Sequence, residues 1–289
     1  MYHRVGGPAS GDQEVQILPT VGRSVFERQL RSLGRQYRVV PAGGILAAIR
    51  SRRRGERFPV AITFDDDLSE HVRDALPALR AAGLTATFFL NGASLDGPHS
   101  FWWEDLQRAV DEKLVTAEDI PHVDASAALA RSPRAILDLS GAITRLQPEQ
   151  RSNVAAALRT AVGPPRTDDG LREGDVRALA EAGCTIGFHT LRHDVLTALP
   201  DAELDRALRD GKDALEAAAG APIEAIAYPY GKGDDRVAAA TRAAGFAAGF
   251  TTLRGVVTPD ADPFLIPRTV ADLSASGLAL RLARLFAAA

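Results

Sequence analysis

The sequence predicts a parallel α/β fold, either a twisted sheet or a barrel, on three observations. About seven short apolar runs rich in β-branched and aromatic residues alternate with stretches of helical periodicity. Strand, helix and strand follow one another between Pro59 and Leu90 at the spacing of a βαβ unit. Most of the strand-like runs also stop abruptly at polar or ionisable residues. In parallel α/β folds, ligands bind at those carboxyl ends.

The 289 residues are enough for one large α/β domain or two ordinary ones. A formal net charge of −3 gives no global signal for nucleic acid or for an anionic membrane surface, so neither is expected as a partner. The single Cys184 excludes an intrachain disulfide framework and every cysteine-based zinc motif, and in Gly183-Cys-Thr-Ile-Gly187 it reads as a small buried hydrophobe. No apolar run has the length of a membrane span. Met1 is followed at once by Tyr2, His3 and Arg4, with no signal-peptide core, so the expected location of the chain as it stands is cytoplasmic.

In chain order, Tyr2 to Val5 reads as the end of a strand and Gly6 to Arg23 as a Gly- and Pro-rich loop. Ser24 is placed to cap a helix through Phe26, Leu30 and Leu33, with Glu27 completing a capping box. A short helix after Gly43-Gly44 runs into Arg50, Arg52, Arg53, Arg54 and Arg57. That cluster is either a grip for an anion or a solvated helix end, where cations are favoured. Pro59 to Phe64 is the next strand, Leu68 to Ala82 a helix closed by Gly83, and Leu84 to Leu90 a strand whose apolar composition suits two-sided burial. From about 91 to 170 the beat loosens into Ala- and Arg-rich helical stretches broken by Pro98, Pro121, Pro133, Pro148 and Pro164-Pro165, which we read as a helical insertion in a single domain spanning 1–289. The alternation then resumes with helix 171–182, strand 184–188, helix 201–219, strand 223–227, helix 234–244 and strands 246–251 and 264–266. A last helix, 274–286, carries Leu278, Leu280, Leu282 and Leu285 and is expected to dock on the barrel.

The strand ends hold the chemistry. The run Val60-Ala-Ile-Thr-Phe-Asp-Asp-Asp67 finishes in three carboxylates, which repel one another unless they form a solvated turn or have a cation among them. His189-Thr-Leu-Arg-His193 puts two imidazoles four residues apart, within reach of one metal if the segment turns helically; two surface histidines are the alternative. Thr190 stands where a zincin needs its glutamate, so a third ligand and a base must come from elsewhere. At a strand end one Asp of the trio can ligate while its neighbour reaches a water, because successive residues face opposite ways. One Asp and two His leave positions open on a divalent ion, the mark of a catalytic site.

Thr63-Phe-Asp-Asp66 and His189-Thr-Leu-Arg-His193, in this order, resemble the first two motifs of the polysaccharide deacetylases, the NodB-homology family 4 of carbohydrate esterases. Ala86-Thr-Phe-Phe89, Leu179-Ala-Glu-Ala-Gly183 and Ala227-Tyr-Pro-Tyr-Gly231 extend the resemblance over most of the chain outside the insertion. Tyr2-His3 is similar to the branch of exopolysaccharide and poly-N-acetylglucosamine deacetylases with an early Tyr-His. The resemblance implies a distorted (β/α)7 TIM-like barrel. It implies one divalent ion, zinc first and cobalt or nickel as alternatives, on Asp66, His189 and His193. Asp65 would then be the general base, with the backbone N–H of Tyr230 helping to hold the oxyanion.

Three features depart from the common family pattern. No histidine follows His193, so the proton donor implied for this branch is His3, an imidazole that titrates near neutrality in water. Ala227 replaces an arginine that often orients the base, and Arg268 resembles its substitute. Asp67 replaces a glycine, so either the turn differs or Asp67 adds charge near the metal. Asn91, at a strand end, and Trp103, in Phe101-Trp-Trp103, are candidate substrate contacts, although the tryptophans serve equally as core anchors.

The expected activity is hydrolytic removal of N-acetyl groups from an amino sugar, oligosaccharide or glycan. Two alternatives are a deformylase or amidohydrolase on a small glycosylated metabolite, and a pseudoenzyme that only binds carbohydrate.

Overall fold

The computed structural model describes residues 1–6, 16–126, 135–253 and 255–287. Most of the predicted loop after Gly6, and Pro133 of the insertion, lie outside these residues. The described strands are β1 (Arg4–Val5), β2 (Thr20–Val21), β3 (Arg38–Val39), β4 (Pro59–Val60), β5 (Thr63–Asp65), β6 (Thr87–Leu90), β7 (Thr185–Phe188), β8 (Ala225–Ala227), β9 (Ala248–Thr251) and β10 (Ile266–Pro267). Six of them form one all-parallel sheet in the order β10-β9-β8-β7-β6-β5, curled into a half-barrel consistent with a distorted (β/α)7 fold.

Two compact units are present. The first comprises 1–9, 20–97 and 171–289 and contains this sheet. Phe64, Phe88, Leu90, Phe188 and Ile226 are buried in its core. Parallel strands covered on both faces need such near-continuous apolar runs. Beyond β5 the sheet continues through Tyr2, which bridges Phe64 in parallel register. Tyr2 N donates to Thr63 O at 2.8 Å, and Asp65 N donates to Tyr2 O at 3.1 Å. On the far side, Ala271 N donates to Met1 O at 2.8 Å. The segment is further pinned by the Tyr2 ring, which stacks on Phe64 at 5.3 Å and donates its hydroxyl hydrogen to Gln29 Oε1.

Several predicted boundaries shift. The first helix runs Arg23–Gln36 with Gly22 at its cap: the amides of Val25 and Phe26 both donate to Gly22 O, so the expected Ser24–Glu27 capping box is absent and Glu27 pairs with Arg23 instead. The chain leaves β2 directly at Val21, which starts the helix one residue early. The run 59–64 is divided between β4, which pairs with β3, and β5. The helix expected from Leu68 opens with a wide π-helical turn over His71–Ala75 before α-helix Leu76–Ala82, which ends at left-handed Gly83 as predicted. The single helix expected over 201–219 is two, Asp201–Ala207 and Lys212–Ala219, separated at Gly211 with φ 82°. Helix Ala275–Ala287 packs on Arg23–Gln36 and buries Leu278.

The second unit comprises 10–19 and 98–170. Its described helices, Trp102–Asp111, Ala135–Thr144 and Pro148–Val162, pack together over Trp102, Leu106, Leu139, Ile143 and Leu158. A buried Asp105 meets Arg159 at 2.7 Å.

Candidate active site

The six strands of the sheet run the same way, so their carboxyl ends gather Asp65, Asn91, His189, Tyr228 and Arg268 at one rim, with His3 beside them at the Tyr2 position. Asp65 is the last residue of β5 and is buried. Arg268, one residue beyond β10, grips it with both ends of the guanidinium: Nη1 donates to Oδ1 at 2.6 Å and Nη2 to Oδ2 at 2.8 Å. Burial pushes the Asp65 carboxyl up, but Arg268, with help from His189 and His3, outweighs it and holds the group well below the usual carboxylate range. Each oxygen keeps a second lone pair, so the pairing leaves Asp65 able to accept a proton.

Asp66 turns the other way, toward two imidazoles. Its Oδ1 lies 3.7 Å from His189 Nε2 and 3.6 Å from His193 Nε2. One ligand atom from each of the three residues lies within 4.8 Å of the others, and all three residues are buried. These separations exceed hydrogen-bond lengths and suit donors arranged around a shared ion. His189 Nδ1–H donates to Ala227 O at 2.7 Å, which fixes the tautomer so that Nε2 presents its lone pair. Burial lowers the pKa of both histidines, and the neutral ring is the form that ligates. One carboxylate and two neutral imidazoles fit a zinc-class divalent ion.

The imidazoles converge through a turn, without the helix the sequence allowed for. Thr190 and His193 have φ of 59° and 51°, and His193 N donates to Thr190 O. Asp66 at 73° and Tyr230 at 57° share this left-handed region. Left-handed backbone at non-glycine residues is costly, above all for a β-branched threonine, and its concentration here marks a site built for geometry.

Asp67, the departure from the family pattern, does not take the positive φ of a glycine; Asp66 does. The Asp67 carboxylate turns onto the loop after β6. Oδ1 accepts from Asn91 N at 2.8 Å and Gly92 N at 3.3 Å, and Oδ2 accepts from Ser94 N at 3.3 Å. Asn91, expected as a substrate contact, commits its amide hydrogens to His189 O at 3.1 Å and Thr190 O at 2.8 Å.

His71 was missed by the sequence reading. Fully buried in the π-helical turn, it donates Nε2–H to Asp66 O at 3.0 Å and Asp65 O at 3.2 Å, holding the backbone of both acids. Its one signal in the sequence is a histidine five residues after Asp66 on the turn that opens the following helix.

His3 keeps an exposed edge, yet its neighbours remove enough water to push it down to about 4, against the expectation that it titrates near neutrality. The charges of Asp65, His189 and Arg268 bear on it, as expected for a group at this rim. Tyr230 follows β8, with its ring edge-on to His193 at 4.6 Å. Trp103 belongs to the second unit, where it is 5% exposed and stacked on Phe101 at 4.5 Å; this packing leaves no face for a sugar. A cavity of about 600 Å³ in the first unit is lined by none of Asp66, His189 or His193: its walls are mostly apolar, with Ile45, Ile49, Phe58, Ile62 and Leu278, and Arg268 also borders it.

The profile of the polysaccharide deacetylase family matches residues 52–118 and 152–249, more than half of the chain and inclusive of the acidic trio and both histidines. The chain belongs to the polysaccharide deacetylase family. It is therefore a hydrolase of N-acetyl amide bonds. His3 and Arg268 lie outside the matched segments. Comparison with curated protein sequences gives no match.

Among solved structures, the Streptococcus pyogenes deacetylase PplD superposes with a TM-score of 0.64 at 16% identity, covering 99% of this chain and 95% of that one. A de-N-acetylase from Aggregatibacter actinomycetemcomitans gives 0.61 at 14% identity, covering 94% and 93%. IcaB from Ammonifex degensii gives 0.56 at 17% identity, covering 94% of each chain. At these identities the superpositions bear on the fold.

Proposed function

We propose that this deacetylase removes N-acetyl groups from an amino sugar or glycan with one divalent ion held by Asp66, His189 and His193. The observation that carries the proposal is the convergence of these three buried donors beside a separate, arginine-gripped carboxylate. A divalent ion bound there supplies Lewis acidity, lowering the pKa of water and polarising an acyl carbonyl.

Asp65 takes the proton of the attacking water as the new C–O bond forms. Arg268 keeps Asp65 ionised and fixes its direction. Negative charge building on the carbonyl oxygen raises the proton affinity of a neighbouring imidazole. His3, neutral at rest, takes up a proton from solvent at that stage and passes it to the departing nitrogen as the C–N bond breaks, giving a free amine and acetic acid, which ionises to acetate, while Asp65 returns the proton it took from the water to solvent. In this reading the backbone N–H of Tyr230, a residue at a left-handed φ of 57°, is the further donor to the same oxygen.

The test is acetate release from N-acetylglucosamine and its oligomers of graded length, with N-formyl analogues alongside. Asp65→Asn is expected to lose about 10²–10⁴-fold in rate while still taking up metal. An Asp65→Asn enzyme that turns over normally removes Asp65 from the role of base.

A further inference from the structure

We infer that Asp67 and Asn91 form a positioning strut that fixes the carboxylate of the metal site relative to its two imidazoles. The inference rests on the metal-site reading above and assigns residues to it that do not themselves ligate.

The connection runs from ligand to ligand without a gap. Asp67 is bonded covalently to Asp66, and its carboxylate accepts hydrogen bonds from the backbone N–H groups of Asn91, Gly92 and Ser94. From there the Asn91 side chain donates to the carbonyls of His189 and Thr190, the first of which belongs to a ligand. The strand order supplies the reason: β6 lies between β5 and β7, and Asn91 is the residue that follows β6. Its side chain therefore stands midway between the strand ends that carry Asp66 and His189.

Asp67, Asn91 and Ser94 are buried, at 4%, 0% and 2% exposure. Water does not replace a lost partner easily in such a place. The Ser94 hydroxyl lies 3.2 Å from Asp67 Oδ2 and 2.7 Å from Leu171 O, and it accepts from Leu171 N at 2.9 Å, so the loop is anchored independently at its far end. A glycine at position 67 would supply none of these acceptors, and the loop after β6 would lose its tie to the acidic trio. Asp67 acts here as an acceptor of hydrogen bonds and adds no ligand to the site.

Asp67→Ala, Asp67→Asn and Asn91→Ala test the strut. Each protein is stripped with a chelator and titrated with Co(II), and the stability of the metal-free chain is measured separately. Asp67→Ala and Asn91→Ala are expected to weaken Co(II) binding about 10–100-fold, the usual effect of removing an outer partner of metal ligands, and to alter the visible Co(II) spectrum. Asp67→Asn keeps one oxygen for Asn91 and Gly92 and should recover part of the affinity. If Asp67→Ala does not fold, Asn91→Ala reads the same strut from its other end. Variants that bind Co(II) within twofold of wild type, with an unchanged spectrum and only a loss of stability, overturn the strut. A wild-type protein that takes up no divalent ion overturns the metal-site reading itself, a distinguishable result.

Discussion

A carboxylate removed from water costs several kcal/mol unless charge and hydrogen bonds replace the solvent, and β5 runs into three of them in succession. Each is met differently: Asp65 by a guanidinium, Asp66 by two imidazoles across the space for an ion, and Asp67 by backbone amides. Removing Arg268 should expose what it does. In Arg268→Met, burial of Asp65 is opposed only by His189 and His3, so its pKa rises and the acid limb of kcat/KM should move toward neutrality. Stability should fall by about 3–5 kcal/mol, the cost of leaving a buried charge unpaired. A pH–rate profile and urea unfolding check both, and an unmoved acid limb would show that Asp65 does not govern it. The metal-ligand and base candidates were legible because each sits in a short motif at a strand end. The partner of Asp65 is 203 residues away, and only a resemblance suggested it. His71 and the Asp67 loop escaped because nothing local reveals which backbone groups a buried side chain will meet.

At the scale of elements, the strand–helix alternation was read correctly because parallel strands covered on both faces must be apolar throughout. Boundaries were less legible. The run 59–64 looks uniform in composition, yet β4 pairs with β3 and β5 with β6, a division set by tertiary pairing. The break at Gly211 and the π-helical turn at His71 likewise serve packing around the rim, which helical periodicity does not encode. Gly187 in β7 shows how closely the strands support the site: a Cβ there would clash with the edge of the Phe89 ring, whose neighbours include Phe250, at 5.3 Å between ring centres, and the Arg268 guanidinium, 5.2 Å from the ring centre. Gly187→Ala should therefore cost about 1–3 kcal/mol by overpacking. Because the Arg268 guanidinium lies over that ring, a displaced Phe89 should disturb the grip on Asp65, and kcat should fall as well. Thermal unfolding and steady-state kinetics on the variant check this, and a destabilised enzyme with unchanged kcat would uncouple Phe89 from Arg268.

For the whole molecule, His3, His71, His189 and His193 are brought together from distant parts of the chain, and burial lowers the pKa of every one. In the unfolded chain they protonate near 6.5, whereas in the folded chain they do so lower, His3 at about 4. Between those values the unfolded state binds more protons, so their contribution to stability is fully present above about pH 6.5 and is lost as the pH falls below it. Asp65 adds nothing in this window, because its own contribution is lost only at pH values well below 4. Urea midpoints measured from pH 8 to pH 5 should decline steadily below 6.5, and a flat profile across that range would contradict the burial of these rings. The site also depends on residues 1–3 lying in the sheet beside β5, which brings His3 to the rim.

The central claim, that Asp66, His189 and His193 hold the ion on which deacetylation depends, is tested most directly by stripping the enzyme and titrating zinc back while following bound metal and acetate release together. Both should saturate at about one ion per chain, and His189→Ala should recover neither. Acetate release that survives stripping, or metal uptake by His189→Ala equal to that of wild type, would contradict it.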